Sequence, residues 1–545
     1  MQVGVCIKQP EKNANFWLCG GLIAILLVSI MSRDITRPFY GLHSWAQASG
    51  AWAARTHVRY GLGYTRGVTT WAVGQPPTEN PKIYLDHPQL NILVASAVMS
   101  VLGTNEWSPR VFNIILSSIT LIIFLRILRG LSDDKTTLLA ALFYALFPLT
   151  SYFGLGGLPI LTGSLSVWCY LVLIGAIKNG PQPSKIHKYG LAINLFLSLQ
   201  FAWVGFFYAL PIGLHYISRC TYRRQLPEKT LLAILIFSPL LSLALDFLIM
   251  AAGYGWDFNK IVDLYKWRAA EGEVGKFIWG NWFARLWEFA VTNFTTPTLV
   301  FSIAYLTFGQ LLVFTQAKPE GTNERRLRQF PLFWLFFMIP MTQLFILKGC
   351  LWKHQTWEHP LGPFLAIAAA SGIMLSADML KKIHRRLSPI VIVVLIGIFF
   401  IFCVKGTNYY YAVRWQSPEK IKLFKMLNEK IPPDKALLSF EDFIVNQHKA
   451  KGGFYRPEIA WYLDREIVQA TTLEQIQKNA QTGKFPYYLV PTVNQLSQLI
   501  NSLNQTYKYQ YIPGDEGART KDGKFLRAGM MPYIIFDLTS KVSRP

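Results

Sequence analysis

Four residues of this chain are well suited to moving a proton: Asp34, His43, Asp86 and His87. All four fall in one stretch, residues 32–108, after a first apolar run. A carboxylate beside a polar cleft can act as a general base, and an imidazole can exchange protons near neutral pH. Asp34 lies in Ser32-Arg33-Asp34-Ile35-Thr36-Arg37-Pro38, where the competing reading is an interfacial anchor built with Arg33 and Arg37. His43 opens Ser44-Trp45-Ala46-Gln47, whose small residues and Trp continue at helical spacing to Arg59. That pattern predicts an amphipathic surface helix over 44–59, with Arg55 and Arg59 on one side. Asp86 and His87 precede Pro88 and the apolar run 90–103. Pro suits the first turn of a helix, so the pair either caps that helix or lines a site.

A second cluster lies at Lys348-Gly349-Cys350-Leu351-Trp352-Lys353-His354-Gln355-Thr356-Trp357-Glu358-His359-Pro360. Cations such as Lys353, His354 and His359 can meet a phosphate, and aromatic faces can stack on sugars. An interfacial belt of Trp and Lys is the other reading. The stretch 252–296 adds Tyr254, Trp256, Asp257, Trp267, Arg268, Glu271, Glu273 and Trp282, a mixture that suits a polar cleft.

The elements that must hold these residues are mostly apolar. The chain has 545 residues, 52% hydrophobic and 16% charged, with a mean hydropathy of +0.26. A soluble protein carries about a quarter charged residues. Repeated apolar runs near 20 residues predict a polytopic α-helical membrane protein. About eleven spans are expected, near 15–32, 109–126, 136–154, 158–177, 190–202, 203–217, 230–251, 297–316, 330–347, 361–379 and 389–405. The run 90–103 is too short to cross comfortably and is expected along the surface.

Net charge is +23, but the basic residues sit in short clusters between apolar runs. That fits topology and anionic head groups, and nucleic acid is not an expected partner. With the N-terminus inside, every second connection is basic: Arg126, Arg129 and Lys135; Lys178, Lys185 and Lys188; Arg219, Arg223, Arg224 and Lys229. Lys318, Arg325, Arg326 and Arg328, then Lys381, Lys382, Arg385 and Arg386, complete the series. This puts 32–108, 252–296, 348–360 and the tail outside the membrane. The first run, Phe16 to Met31, lacks a small-x-small cleavage site and is read as a retained span.

Two domains are expected, a membrane domain over 1–405 and an extracytoplasmic α/β domain over 406–545. Helix-like stretches of the tail near 417–430, 472–481 and 493–504 alternate with β-prone runs at 436–440, 487–490 and 533–538. The six cysteines show no zinc or disulfide spacing. There is no phosphate loop of the ATP-binding type and no HExxH. Intramembrane charges such as Asp246 are few, which disfavours a proton-coupled transporter.

The order of these motifs resembles the GT-C glycosyltransferases of the protein O-mannosyltransferase and aminoarabinose-transferase type. Gly41-x-His43-Ser44-Trp45-x-Gln47 is similar to a G-x-H-x-W-R-Q stretch of a bacterial subgroup. Asp86-His87-Pro88-x-Leu90 follows, then Leu102-Gly103-Thr104-Asn105-Glu106-Trp107 through Arg110, similar to a G-x-x-E stretch ending in Arg. His359-Pro360 before an apolar run resembles the family's last outer loop. The resemblance covers about residues 15–380.

Such enzymes pass a sugar, with inversion, from a polyprenyl-phosphate carrier to a glycan, lipid or protein acceptor at the outer face. The resemblance therefore implies Asp34 or Asp86 as base, with His43 beside it as a catalytic residue. It implies Arg37, Trp45, Gln47, His87, Lys353, His354 and His359 as substrate contacts, membrane lipid as a partner, and a bacterial plasma membrane as the location. No cofactor is firmly implied, and a divalent cation stays open. Two departures stand out. His43-Ser44 takes the place of a common Asp-Glu, and Gly156-Gly157-Leu158-Pro159-Ile160 takes the place of a common Asp. Asp34 with His43, another residue, or a non-catalytic binder or transporter of lipid-linked glycans are the readings left open.

Overall fold

The computed structural model describes residues 14–541 apart from 80, 86, 178–179, 255, 257–258, 260–261, 264–265, 267–277, 310–334, 385, 446–453, 521–522 and 524. Close packing divides the chain into two units. The first comprises Met1–Ile35, Leu85–Asn91 and Arg110–Asn408; the second comprises Thr36–Tyr84, Ile92–Pro109 and Tyr409–Pro545.

The first unit is helical. Five helices of the described chain are long and apolar enough to cross a membrane: Ala14–Met31, Ser108–Leu131, Lys229–Gly253, Leu361–Ile383 and Leu387–Ala412. A sixth candidate is the pair Trp279–Phe294 and Thr296–Phe308, bent by 109° at Thr295. The sequence places 279–294 in an outer loop; it is a helix with Trp282, Phe289, Ala290, Asn293 and Phe294 buried. Other expected spans are shorter helices. The run 136–154 divides into Asp134–Leu146 and Pro148–Phe153, because Pro148 cannot donate to the preceding turn. The run 190–217 forms two helices, Lys185–Phe201 and Phe206–Tyr222, around a 3₁₀ turn at Trp203–Gly205.

The starts of these helices follow from local chemistry. Asp133 caps Asp134–Leu146 by accepting from the Thr136 amide at 3.0 Å. The core is aromatic: Phe143 packs on Phe399 with ring centroids 3.9 Å apart, and Phe147 meets Phe294 at 5.2 Å. Gly163 lets Tyr208 lie against its helix, since a Cβ there would meet the ring at 2.4 Å.

The second unit centres on a five-stranded mixed sheet in the order Ile467–Gln469, Leu437–Ser439, Tyr487–Pro491, Tyr533–Lys541, Tyr507–Ile512. The first three strands are parallel; Tyr533–Lys541 runs antiparallel to both of its neighbours. Helices Pro418–Lys430, Pro457–Leu463, Leu473–Gln481 and Ser497–Asn504 complete it, giving the expected α/β arrangement. Ser417 caps the first by accepting from the amides of Glu419 and Lys420, with Pro418 at the first helical position. One sheet face buries Leu437, Leu489, Tyr533 and Ile535 against Phe424, Trp461 and Tyr462.

The same core takes Phe39, Trp52 and Trp71 from the stretch after the first span. Trp52 lies on the helix Ser44–Thr65, which is longer than the expected 44–59 and buries Ala48, Ala51, Ala53 and Ala54. Arg55 and Arg59 of this helix pair with Asp464.

Candidate functional site

The site is best built from the segment 348–360 of the first unit. Lys348–Lys353 is a short helix and Gln355–Glu358 a 3₁₀ turn, with Pro360 leading into Leu361–Ile383. Three side chains from two helices hold this segment by its carbonyls. Trp282 Nε1 donates to Lys348 O at 3.1 Å, Asn293 Nδ2 to Gln355 O at 3.0 Å, and Gln343 Nε2 to Trp357 O at 3.2 Å. The segment is thereby fixed between the helices Trp279–Phe294 and Leu335–Ile346.

Asn293 Nδ2 also donates to Glu358 Oε2 at 2.8 Å. Glu358 is completely buried, and among the described residues its Oε1 has no partner. Burial raises its carboxyl well above the usual range, and the Asn293 hydrogen bond only partly opposes that. His359 follows it, with its ring 6.4 Å from that of Phe153. Burial pushes the His359 imidazole down to about 4, so it is neutral at pH 7.

A cavity of about 200 Å³ opens beside this segment, wholly within the first unit. Thr356, Trp357 and His359 form one side; His87, Trp203 and Gln343 come from three other parts of the chain. Gly156 closes part of the wall. Its φ of +86° is a left-handed conformation that favours glycine, and a Cβ would stand 2.5 Å from Ile160 Cγ1. The Gly-Gly at 156–157 therefore has a backbone reason.

The expected site residues distribute as follows. His87 and His359 share the cavity. His354 is half-buried and precedes the 3₁₀ turn, its carbonyl accepting from the Trp357 amide at 3.0 Å. The backbone of Lys353 ends the short helix, and its side chain lies outside the described residues, as does Asp86. Asp34 is exposed, has a left-handed backbone with φ 56°, and is not among the residues lining the cavity. Around it, Arg33 donates to Asn408 Oδ1 at 2.6 Å and Arg110 to Ile35 O at 2.7 Å.

Four others belong to the second unit. His43 is buried with φ 53°, and its ring lies 4.5 Å from that of Trp415. Trp45 and Gln47 are half-buried on the first turn of the helix. Arg37 is buried and donates to Tyr411 O at 2.8 Å, stapling the start of the unit to its last segment.

Sequence reasoning passed over Glu358 and Glu458. Glu458 is buried and accepts from Ser44 Oγ at 2.8 Å and from Gln416 Nε2 at 3.5 Å. Burial raises its carboxyl, against the Ser44 hydrogen bond. Neither glutamate carries a sequence signal of burial, although Trp357-Glu358-His359-Pro360 places a carboxylate among rings at the mouth of a span. Among the described residues no three His, Cys, Asp or Glu side chains gather to hold a metal ion.

No sequence-family model and no curated protein matches the chain. Solved structures do. ArnT from Cupriavidus metallidurans bound to undecaprenyl phosphate is 11% identical, with a TM-score of 0.56 over 98% of this chain and 100% of that one. Its apo state aligns with the same TM-score, at 10% identity over 96% and 98% of the two chains. The fold is GT-C. A second likeness is to the archaeal oligosaccharyltransferase AglB from Archaeoglobus fulgidus in complex with an inhibitory peptide and a dolichol-phosphate. There the TM-score is 0.51 at 11% identity, over 94% of this chain and 74% of that one. With this fold and these membrane-length apolar helices, the chain is an integral membrane protein.

Proposed function

We propose that this protein is an integral-membrane glycosyltransferase that takes a sugar from a polyprenyl-phosphate donor. The observation that carries this reading is the likeness over nearly the full length of both chains to an ArnT bound to undecaprenyl phosphate. The cavity beside 354–360 holds two of the proposed substrate contacts, His87 and His359. The acceptor is a glycan, lipid or protein hydroxyl at the outer face of a bacterial plasma membrane. In this topology the N-terminus is cytoplasmic and residues 406–545 are extracytoplasmic, as the alternation of basic connections supports.

The acceptor oxygen attacks the anomeric carbon opposite the phosphate, and the bond from that carbon to the phosphate oxygen breaks. The polyprenyl phosphate leaves as an anion, so it needs little acid help. The acceptor proton passes to a base, for which Asp34 and Asp86 are the candidates. His43 is proposed as partner to that base. Arg37, Lys353 and His354 are proposed phosphate contacts, and Trp45, Gln47, His87 and His359 proposed substrate contacts.

Asp34→Asn and Asp86→Asn test the base in purified protein in nanodiscs, with polyprenyl-phosphate sugars as donors. One of the two should lose sugar transfer by at least a hundredfold while donor binding is kept. Transfer unaffected by both would overturn the assignment. A second reading, a non-catalytic binder or transporter of lipid-linked glycans, is favoured by His43-Ser44 and Gly156-Gly157 standing where carboxylates are common. It predicts donor binding with no release of polyprenyl phosphate under any acceptor.

A further inference from the structure

We propose that the helix Trp279–Phe294 lies along the membrane boundary on the side that carries 348–360. Its Trp279, Phe283 and Trp287 side chains sit among phospholipid head groups and the upper acyl chains. The partner is the bilayer itself, and this holds whether or not the protein transfers sugar.

Direction comes from the packing of the next helix. Phe294 lies by Gly362, Ser302 Oγ donates to Leu365 O at 3.2 Å, and Tyr305 lies by Gly372. These contacts advance together, so Thr296–Ala304 shares the direction of Leu361–Ile383, a helix long enough to cross. Trp279–Phe294 turns from Thr296–Phe308 by 109° at Thr295. A helix near a right angle to a span lies near the membrane plane.

The faces of the helix agree with that direction. Trp279, Phe283, Trp287, Ala290 and Phe294 form one stripe at helical spacing. At its far end Ala290 and Phe294 are buried, and Phe294 packs on Phe147 with ring centroids 5.2 Å apart. Phe147 also meets Phe399, which lies in the apolar middle of Leu387–Ala412. The stripe therefore points toward the hydrocarbon level. Toward its other end the same stripe leaves the protein: Trp279, Phe283 and Trp287 are 47%, 51% and 52% exposed. A row of exposed rings marks an interaction surface, and Trp favours the head-group level.

The opposite stripe is polar. It carries Asn281, Arg285, Glu288 and Thr292, and Arg285 donates to Glu288 at 2.6 Å. A third face, with Trp282, Phe289 and Asn293 buried, packs on the protein. Lipid on one side, water on the other and protein between them is the arrangement of an interfacial helix. Lys348 Nζ stands 4.9 Å from the Trp279 ring centroid, which adds a cation beside the ridge, where lipid phosphates would lie. This helix also holds 348–360 through Trp282 and Asn293, so a bilayer that sets its height sets the height of that segment.

The test puts a nitroxide-bearing noncanonical side chain in place of Trp279, Phe283, Trp287, Asn281 or Glu288, one at a time. The full chain is held in nanodiscs of phosphatidylethanolamine and phosphatidylglycerol. All five positions are exposed, so the label displaces no packed group. Power saturation compares access to oxygen, which concentrates in lipid, with access to a water-soluble nickel chelate. The three ridge labels should favour oxygen and the other two nickel. Depths at 279 and 287 should agree within about 5 Å, whereas a helix crossing the bilayer would separate them by about 12 Å, at about 1.5 Å per residue. That larger separation would overturn the proposal. So would nickel access at the ridge equal to that at 281 and 288, or shielding of the ridge from both reagents by a second copy or another protein.

Hydroxyl-radical footprinting of the unaltered chain in the same discs decides if a label lowers the thermal midpoint. Trp279 and Trp287 should be oxidised much less than Tyr509 and Tyr511 of the second unit, which are exposed to a similar extent. Equal oxidation would overturn the boundary placement.

Discussion

Asn293 donates to Glu358 Oε2 at 2.8 Å, and the other oxygen of that carboxyl has no partner among the described residues. The pair ties the helix Trp279–Phe294 to the segment that carries His359. Because burial raises the Glu358 carboxyl, the folded state holds its proton more tightly than the unfolded chain. The stability so gained is complete below the ordinary glutamate value of 4.5 and declines as pH rises above it. Glu358→Gln removes this group's titration. Its thermal midpoint in nanodiscs should fall less than that of the parent between pH 5 and pH 8. An unchanged pH slope would show that Glu358 stays ionised.

Asn293→Ala takes this donor from Glu358 Oε2 and from the Gln355 carbonyl. The expected loss is about 1–3 kcal/mol, the usual penalty for an orphaned buried polar group. It should be read as a lower thermal midpoint, together with faster proteolysis near 354–360. In the double variant Asn293→Ala/Glu358→Gln the loss should be smaller than the sum of the two single effects.

His359 has the opposite sign. Its pKa falls from the ordinary 6.5 to about 4, so its contribution is full above pH 6.5 and is lost as pH falls toward 4. His359→Gln should flatten the acid side of the stability curve over that window. Transfer activity should show no inflection from His359 between pH 6 and 8. A profile whose midpoint moves in that range on His359→Gln would contradict a neutral imidazole at pH 7.

Gly156 tests the backbone of the cavity wall. Gly156→Ala forces a side chain into φ +86° and against Ile160. A cost of about 1–3 kcal/mol is expected for the conformation alone. Sugar transfer should fall along with stability, because this residue lines the cavity. Wild-type stability in the variant would mean the corner is free to relax.

Asp464 offers a prediction for the second unit. It pairs with Arg59 and, at 3.4 Å, with Arg55, whose guanidinium also lies 4.3 Å over the Trp461 ring. Asp464→Asn leaves two largely buried cations facing each other, and a loss of about 3 kcal/mol is expected. Limited proteolysis should then cut earlier within 409–541. Equal protection in parent and variant would mean that the two arginines find water.

Much of this architecture was legible in the residues. Apolar run length is a local quantity, and it marks most of the described helices of the first unit within a few residues, although Trp279–Phe294 was read as an outer loop and parts of the runs 297–316 and 330–347 lie outside the described residues. Pro148 and Trp203–Gly205 show where that reading fails: a run of constant hydropathy hides a break set by one missing N–H or one tight turn. The tail's alternation of helix-like and β-prone runs led to its sheet, although the strands Ile467–Gln469 and Tyr507–Ile512 were not read, the one too short and the other too polar to stand out. The motif order from Gly41 to His359-Pro360 carried the GT-C resemblance that the solved structures support.

By itself, then, the sequence determined the membrane class, most helices and the resemblance, because hydropathy and charge act over a turn or a span. Tertiary structure alone decided that His87 and His359 face one cavity and that Glu358 is buried with Asn293. It alone decided that Phe39, Trp52 and Trp71 share a core with Phe424 and Tyr462. These are contacts between distant parts of the chain. They depend on which apolar faces bury each other, and no local pattern of residues encodes the pairing.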